Sequence, residues 1–158
     1  MKKVILTECL FVVLFLLLII PLFARKKIQD ISFEALEEAF LLCPGSEGLE
    51  KQSLLVLRRE FGLDETAAEE VLYFASKETM SVDVFLVMKV SGPGSKEKAA
   101  EALKAYVAGQ LRNFEGYGEK QVKLLSDALY YEAGGYEALM ISENAESWLQ
   151  LLKSMTEG

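Results

Sequence analysis

The sequence predicts an α+β domain that follows a single membrane-spanning helix. Three observations carry this prediction: a long apolar run near the N-terminus, a change from helical to alternating hydrophobic periodicity in mid-chain, and a strand-strand-helix order that occurs twice. We expect a two-layer domain whose four-stranded, mainly antiparallel sheet carries its helices on one face. The chain thus divides into an anchor with basic flanks at residues 1–27 and a soluble acidic domain at residues 28–158.

The N-terminal apolar run has the length of a bilayer span. From Val4 to Ala24 the only charged residue is Glu8, and a helix of this length, at about 1.5 Å per residue, spans roughly the 30 Å hydrocarbon core. Glu8 lies near the start of the run, so its carboxylate can reach the interface. We therefore expect residues 4–24 to have the lipid bilayer as their partner.

A cleaved secretory signal is the competing interpretation of this run. The run is longer than the usual apolar region of a signal, and in Leu22-Phe23-Ala24 a large residue stands where a cleavage site needs a small one. Cys9 precedes most of the run, so it is not placed for lipoprotein processing. We predict an uncleaved anchor, and the short N-terminal tail favours an extracytoplasmic position for the domain.

Charge and composition exclude several functions. Residues 28–158 hold 12 of the 17 basic residues and 23 of the 24 acidic ones, which gives this part a net charge of −11. Such a domain repels nucleic acid. The chain has no histidine, so it cannot build a Ser-His-Asp triad, a Cys-His dyad or a zinc site that uses histidine. We expect no enzymatic activity and no cofactor.

Two helices are predicted ahead of the sheet. Ser32 is a good N-cap for an amphipathic helix that buries Phe33, Leu36 and Phe40. A break at residues 43–48 separates it from a second helix at residues 50–61, which Gly62 ends in the left-handed conformation. Asp64 is expected to cap a short helical turn.

The hydrophobic period then changes. Residues 71–76 and 81–90 are rich in β-branched and aromatic residues and are predicted to be strands. A long helix capped by Ser95 follows. Residues 129–131 and 136–142 form the second predicted strand pair, joined by a tight turn at Gly134-Gly135, and Ser142 is expected to cap the last helix.

The order of several motifs resembles a known family. The motifs are Phe61-Gly62-Leu63-Asp64, Met80-Ser81-Val82-Asp83, Val87-Met88-Lys89-Val90 and Gly134-Gly135-Tyr136, in a chain that begins with an acidic helix. About residues 30–156 resemble the bacterial domain of unknown function family 4358, typically exported lipoproteins or membrane-anchored proteins of Gram-positive, clostridial-type bacteria. The resemblance implies an exported domain and supplies no catalytic residue, because the family has no established activity.

Paired carboxylates are the main chemical feature that the domain offers. Glu132 and Glu137 flank the predicted turn. Across a loop of two or four residues they would face each other, where they could bind a cation or raise one carboxyl pKa. The alternative is that they are two solvated residues at the tip of an exposed hairpin, or that a three-residue loop separates them. Tyr130, Tyr131 and Tyr136 lie beside them as candidate binding residues, although tyrosines in strands more often pack in the core. Cys43 has no basic neighbour in the sequence and is expected to be structural.

Two functional hypotheses follow from these observations. The first is a non-enzymatic interaction module, anchored in the cell envelope, that engages another envelope protein through its sheet face or an interhelical groove. The second is a small-molecule or cation-binding sensor or carrier domain that uses Glu132, Glu137 and the nearby tyrosines. The oligomeric state stays open.

Overall fold

A computed structural model of the chain describes residues 28–64 and 66–158. The elements follow the order α1 Phe33–Phe40, β1 Leu49–Lys51, α2 Leu54–Phe61, β2 Glu70–Ser76, β3 Val84–Lys89, α3 Pro93–Phe114, α4 Glu119–Ser126, β4 Leu129–Ala133, β5 Tyr136–Ile141 and α5 Ala145–Thr156. A single 3₁₀ turn, Ser46–Gly48, precedes β1. These elements confirm the predicted α+β class.

The sheet has five strands rather than the predicted four. Its order is β1-β2-β3-β5-β4, and every neighbouring pair is antiparallel. The additional strand, β1, occupies the first residues of the predicted helix 50–61, because Leu49 and Lys51 pair with Ser76 and Phe74 of β2. The helix α2 begins only after Ser53, whose Oγ accepts a hydrogen bond from the N–H of Val56.

Helices cover both faces of the sheet, so the prediction of two layers with helices on one face is wrong. On one face α1 and α5 bury an aromatic cluster in which Phe40 stacks on Phe85 at 3.9 Å and meets the edge of Trp148. On the other face α2, α3 and α4 pack over residues such as Leu86 and Leu139. The domain is therefore a three-layer α/β/α sandwich around an antiparallel sheet.

The central strand β3 explains the third layer. Val84, Phe85, Leu86, Val87 and Met88 are all fully buried. Successive side chains of a strand point to opposite faces, so five consecutive apolar residues require cover on both faces. In the described chain helices cover most of both sheet faces, and side chains such as Tyr130 and Glu132 are exposed on the edge strand β4, so most of the sheet face that the first hypothesis considered is covered.

Several helix boundaries match the prediction and others differ. Ser32 caps α1 by accepting from the N–H of Ala35, and Gly62 ends α2 at φ 67°, both as predicted. In contrast, α3 starts at Pro93 instead of after Ser95, since proline is well suited to a first helical turn.

The C-terminal half shows further differences from the prediction. The last helix starts at Ala145, so Ser142 lies three residues before it, where its Oγ accepts from the N–H of Asn144. The helix α4 was not predicted. Asp64 holds a hydrogen-bonded turn, not a helix, through the N–H and hydroxyl of Thr66.

The predicted anchor lies outside the described residues, and so do Glu8 and Cys9. Within the described part of the chain, no helix combines the length and the apolar character needed to cross a membrane.

Candidate functional site

The β4–β5 hairpin brings the two predicted carboxylates together. Gly134 and Gly135 have φ angles of 57° and 98°, the paired positive values that a two-residue type I′ turn requires. The turn sets Ala133 opposite Tyr136 and Glu132 opposite Glu137. In a two-residue hairpin the second pair out is not hydrogen-bonded, so its side chains approach closely. We call Glu132 and Glu137 the hairpin pair.

The two carboxylates of the hairpin pair lie in different environments. Glu132 is exposed on the edge strand, whereas Glu137 is only 3% exposed. Glu137 lies between β4 and β3, where Met88 is its other cross-strand neighbour, on the face that α3 covers. Its Oε1 has no hydrogen-bond partner among the described residues. A buried polar atom without a partner is rare and costs free energy.

Burial changes the protonation of Glu137. Loss of hydration, and to a smaller extent the charge of the facing Glu132, raise its pKa to about 7 against the opposing effect of Lys96 and Lys104 of α3. The carboxyl group therefore titrates near neutral pH, where an ordinary glutamate is fully ionised.

The three candidate tyrosines do not form one surface. Tyr130 lies on the same face of β4 as Glu132 and is partly exposed. Tyr131 and Tyr136 lie on the opposite face, in the core beneath α1 and α5. Their hydroxyl groups bind Thr156 and Asp30, at 2.7 Å in each case. The structure thus places Tyr131 and Tyr136 in structural contacts and leaves Tyr130 beside the hairpin pair.

The hairpin pair does not belong to a larger cluster of metal-binding side chains in the part of the chain that the structure describes. Among the described residues, no group of three or more Cys, Asp or Glu side chains is arranged to hold a metal ion. Cys43 is half-buried, its thiol donates to the carbonyl of Ala39 at 3.6 Å, and burial raises its pKa. These contacts agree with a structural role for Cys43.

Exposed leucines form a second feature, which was not predicted from the sequence. Leu41 and Leu42 follow α1, and Leu54 and Leu55 begin α2. All four are exposed, Leu42 at 87% and Leu55 at 73%. Along the chain the two leucine pairs flank β1, which is an edge strand of the sheet, and they belong to helices that pack on opposite faces. We call these four residues the edge leucines.

An interhelical groove is also present. The junction of α3 and α4 forms an apolar cleft of about 460 Å³ lined by residues that include Leu111, Phe114, Tyr117 and Val122. Tyr117 is exposed at its rim. This cleft is the counterpart of the groove considered by the first hypothesis.

Comparison with known proteins gives a family and no relative of established activity. Residues 45–142 match the family model of a domain of unknown function, DUF4358, which confirms the resemblance inferred from the motifs. No curated protein and no solved structure matches the chain. The matched residues run from the start of the 3₁₀ turn to the end of β5, so they include the complete sheet and the hairpin pair.

Proposed function

Starting from the fact that the chain belongs to the DUF4358 family, we propose that it is a non-enzymatic interaction module, anchored in the cell membrane by residues 4–24. Its domain lies outside the cytoplasm and engages another protein of the cell envelope. The edge leucines are the contact surface.

The exposure of the edge leucines supports this proposal. Each leucine pair presents adjacent large apolar side chains to water on a domain whose sheet faces are otherwise covered. A partner that buried them would gain about 1.5–3 kcal/mol for each fully covered side chain. Grouped apolar exposure of this kind is a feature of interaction surfaces, whereas single exposed leucines are ordinary.

The edge strand between the leucine pairs adds a second means of contact. The N–H of Gln52 bonds to the carbonyl of Tyr73 on β2. Because antiparallel strands alternate their bonding direction, the backbone of Lys51 points to the free edge. An extended segment of a partner can pair there and place apolar side chains on the leucines. The charges of Glu37 and Glu50 are matched by Lys51 and Lys77, so the contact favours an apolar partner segment.

Site-specific photo-crosslinking in intact cells tests this surface. A crosslinking amino acid replaces Leu42 or Leu55 in the full chain, and replacement of Tyr117 serves as a matched control in the α3–α4 cleft. We expect one discrete protein adduct from positions 42 and 55 and none from position 117. Adducts from position 117 alone would place the contact in the interhelical groove, and the absence of protein adducts at every position would refute the interaction module.

A second candidate function is favoured by the unpartnered carboxyl oxygen of Glu137. The hairpin pair would then bind a cation or a small polar ligand, as a sensor or carrier domain requires. The exposed Glu132 would contact the ligand from the solvent side, and Glu137 would contact it from the buried side. Thermal unfolding with Mg²⁺ or Ca²⁺ is the test, because a bound cation raises the melting temperature. The increase should vanish in Glu137→Gln and persist in the control Glu101→Gln on the exposed face of α3. Unchanged melting temperatures in both cations would remove this candidate.

A further inference from the structure

The first described residues are fastened to one end of the sheet. Ile28 contacts the turn of the β4–β5 hairpin so closely that a Cβ at Gly134 would collide with its side chain. The N–H of Gln29 donates to the carbonyl of Thr156 at 2.7 Å. Asp30 pairs with Lys89 at 2.8 Å and accepts a hydrogen bond from the hydroxyl of Tyr136. The chain therefore joins the domain at a fixed place, which we call the hairpin end.

The covalent chain limits how far the apolar segment can lie from the hairpin end. Only Arg25, Lys26 and Lys27 separate Ala24 from Ile28. Four residue steps span at most about 14 Å, whatever their conformation. If residues 4–24 cross the bilayer, Ile28 must lie within this distance of their end, and the hairpin turn is in contact with the Ile28 side chain.

The surface of the hairpin end permits a close approach to lipid. Beside the Gly134-Gly135 turn lie the exposed residues 91–94, which include the start of α3, because Val90 donates its N–H to the carbonyl of Gly135 at 2.7 Å. Both segments consist of small residues and proline. The charges near them are mixed, since Lys96 is basic and Glu69 and Glu132 are acidic. In the sequence, three further basic residues directly precede Ile28.

We infer that the hairpin end of the domain faces the lipid headgroup layer and that the opposite end of the sheet points away from the membrane. This inference rests on the membrane anchoring in the proposed function. The strand β5 runs between the two ends, and its six residues place them about 20 Å apart. The α1 helix also runs from the hairpin end to the opposite, distal end, since Phe33 at its start stacks with Tyr136 and Phe40 at its end contacts Trp148. Leu42, which follows α1, therefore lies toward the distal end.

This orientation separates the hairpin pair from two of the edge leucines, Leu41 and Leu42. The hairpin pair lies one residue inward from the strand ends, Ala133 and Tyr136, that flank the membrane-facing turn. The distal end carries Leu41 and Leu42, where a partner protein can approach without hindrance from the bilayer. The anchor thus fixes which part of the domain is presented to the envelope.

Depth-dependent fluorescence quenching tests the orientation. The full chain, with Cys9→Ala and Cys43→Ala, is reconstituted in phosphatidylcholine vesicles that contain a headgroup spin label. A fluorophore is attached through Ser91→Cys at the hairpin end or through Glu47→Cys at the distal end; both positions are exposed. We expect several-fold stronger quenching at position 91 than at position 47.

Vesicle flotation separates the two ways in which the inference can fail. Loss of co-flotation with the vesicles would overturn the proposed anchoring and the orientation together. Co-flotation with equal quenching at the two positions, or with stronger quenching at position 47, would overturn the orientation and leave the anchoring intact. If Ser91→Cys does not fold, Glu132→Cys provides a second exposed position near the hairpin end.

Discussion

Glu137 is a residue whose burial in the fold opposes the ionisation of its carboxyl group. Its carboxyl group is buried, faces a second carboxylate and has an oxygen without a partner among the described residues. The fold therefore favours the protonated form. The pKa is raised from 4.5 to about 7, so the stabilisation from protonation is fully present below about pH 4.5 and is lost as the pH rises to about 7.

Substitution of Glu137 by Gln should remove this pH dependence. Gln keeps the shape and cannot ionise, so the stability of the variant relative to the wild type should increase from pH 4.5 to pH 7 and stay constant above. The expected change is of the order of 2–3 kcal/mol. Urea unfolding, followed by the fluorescence of the single tryptophan, measures it.

The exposed member of the hairpin pair provides the control for this measurement. Glu132→Gln removes only the facing charge, so it should lower the pKa of Glu137 and reduce the pH dependence without abolishing it. If the stability difference between wild type and Glu137→Gln were the same at pH 5 and pH 8, the raised pKa could not belong to Glu137.

At the scale of elements, the β4–β5 hairpin depends on a glycine for two reasons. Gly134 adopts φ 57°, and a Cβ at this position would collide with Ile28. Gly134→Ala should therefore weaken both the turn and the attachment of residues 28–31, at a cost of about 1–3 kcal/mol. Hydrogen exchange should show lost protection in β4, β5 and the N–H of Gln29.

A second glycine offers a matched control for the hairpin prediction. Gly48 has an ordinary φ and nothing within 4 Å of an added Cβ. Gly48→Ala should leave hydrogen exchange in the hairpin unchanged. Equal effects of the two substitutions would mean that neither the backbone conformation nor the contact with Ile28 matters.

The hairpin was predictable from the sequence because its determinants are local. Two adjacent glycines between apolar strands specify the turn, and the turn specifies that Glu132 faces Glu137. The burial of Glu137 was not predictable, because it depends on α3, a helix distant in sequence that covers this face. The split of Tyr130 from Tyr131 follows from strand alternation alone.

The missed strand β1 and the missed third layer also depend on contacts between residues that are distant in sequence. The strand β1 has only three residues, so its hydrophobic periodicity does not distinguish it from the start of a helix. Its pairing with β2 decides its conformation. The third layer had a signal in the sequence, since Val84 to Met88 are continuously apolar. Val84, Leu86 and Met88 lie on one face of β3, and the equally apolar Phe85 and Val87 lie on the other, so both faces of this strand need cover.

The whole domain carries an excess of negative charge, which opposes folding. The net charge of −11 for residues 28–158 contrasts with −7 for the complete chain, because the N-terminal segment is basic. Ion pairs such as Lys120–Glu143 are exposed and contribute little stability. Repulsion among the excess carboxylates therefore destabilises the compact state at low ionic strength, when the screening length is longer than the distance between charges.

Salt should consequently stabilise the domain. Between 10 and 150 mM NaCl the Debye length falls from about 30 Å to about 8 Å, and we expect the free energy of unfolding at pH 8 to rise by about 1 kcal/mol, a few degrees in Tm. The buried Trp148 reports unfolding by fluorescence. In Glu101→Lys, which lowers the net negative charge by two, the salt dependence should be smaller. A Tm that fell with NaCl would instead show that surface ion pairs outweigh the repulsion, and that the acidic composition serves solubility at no cost to the fold.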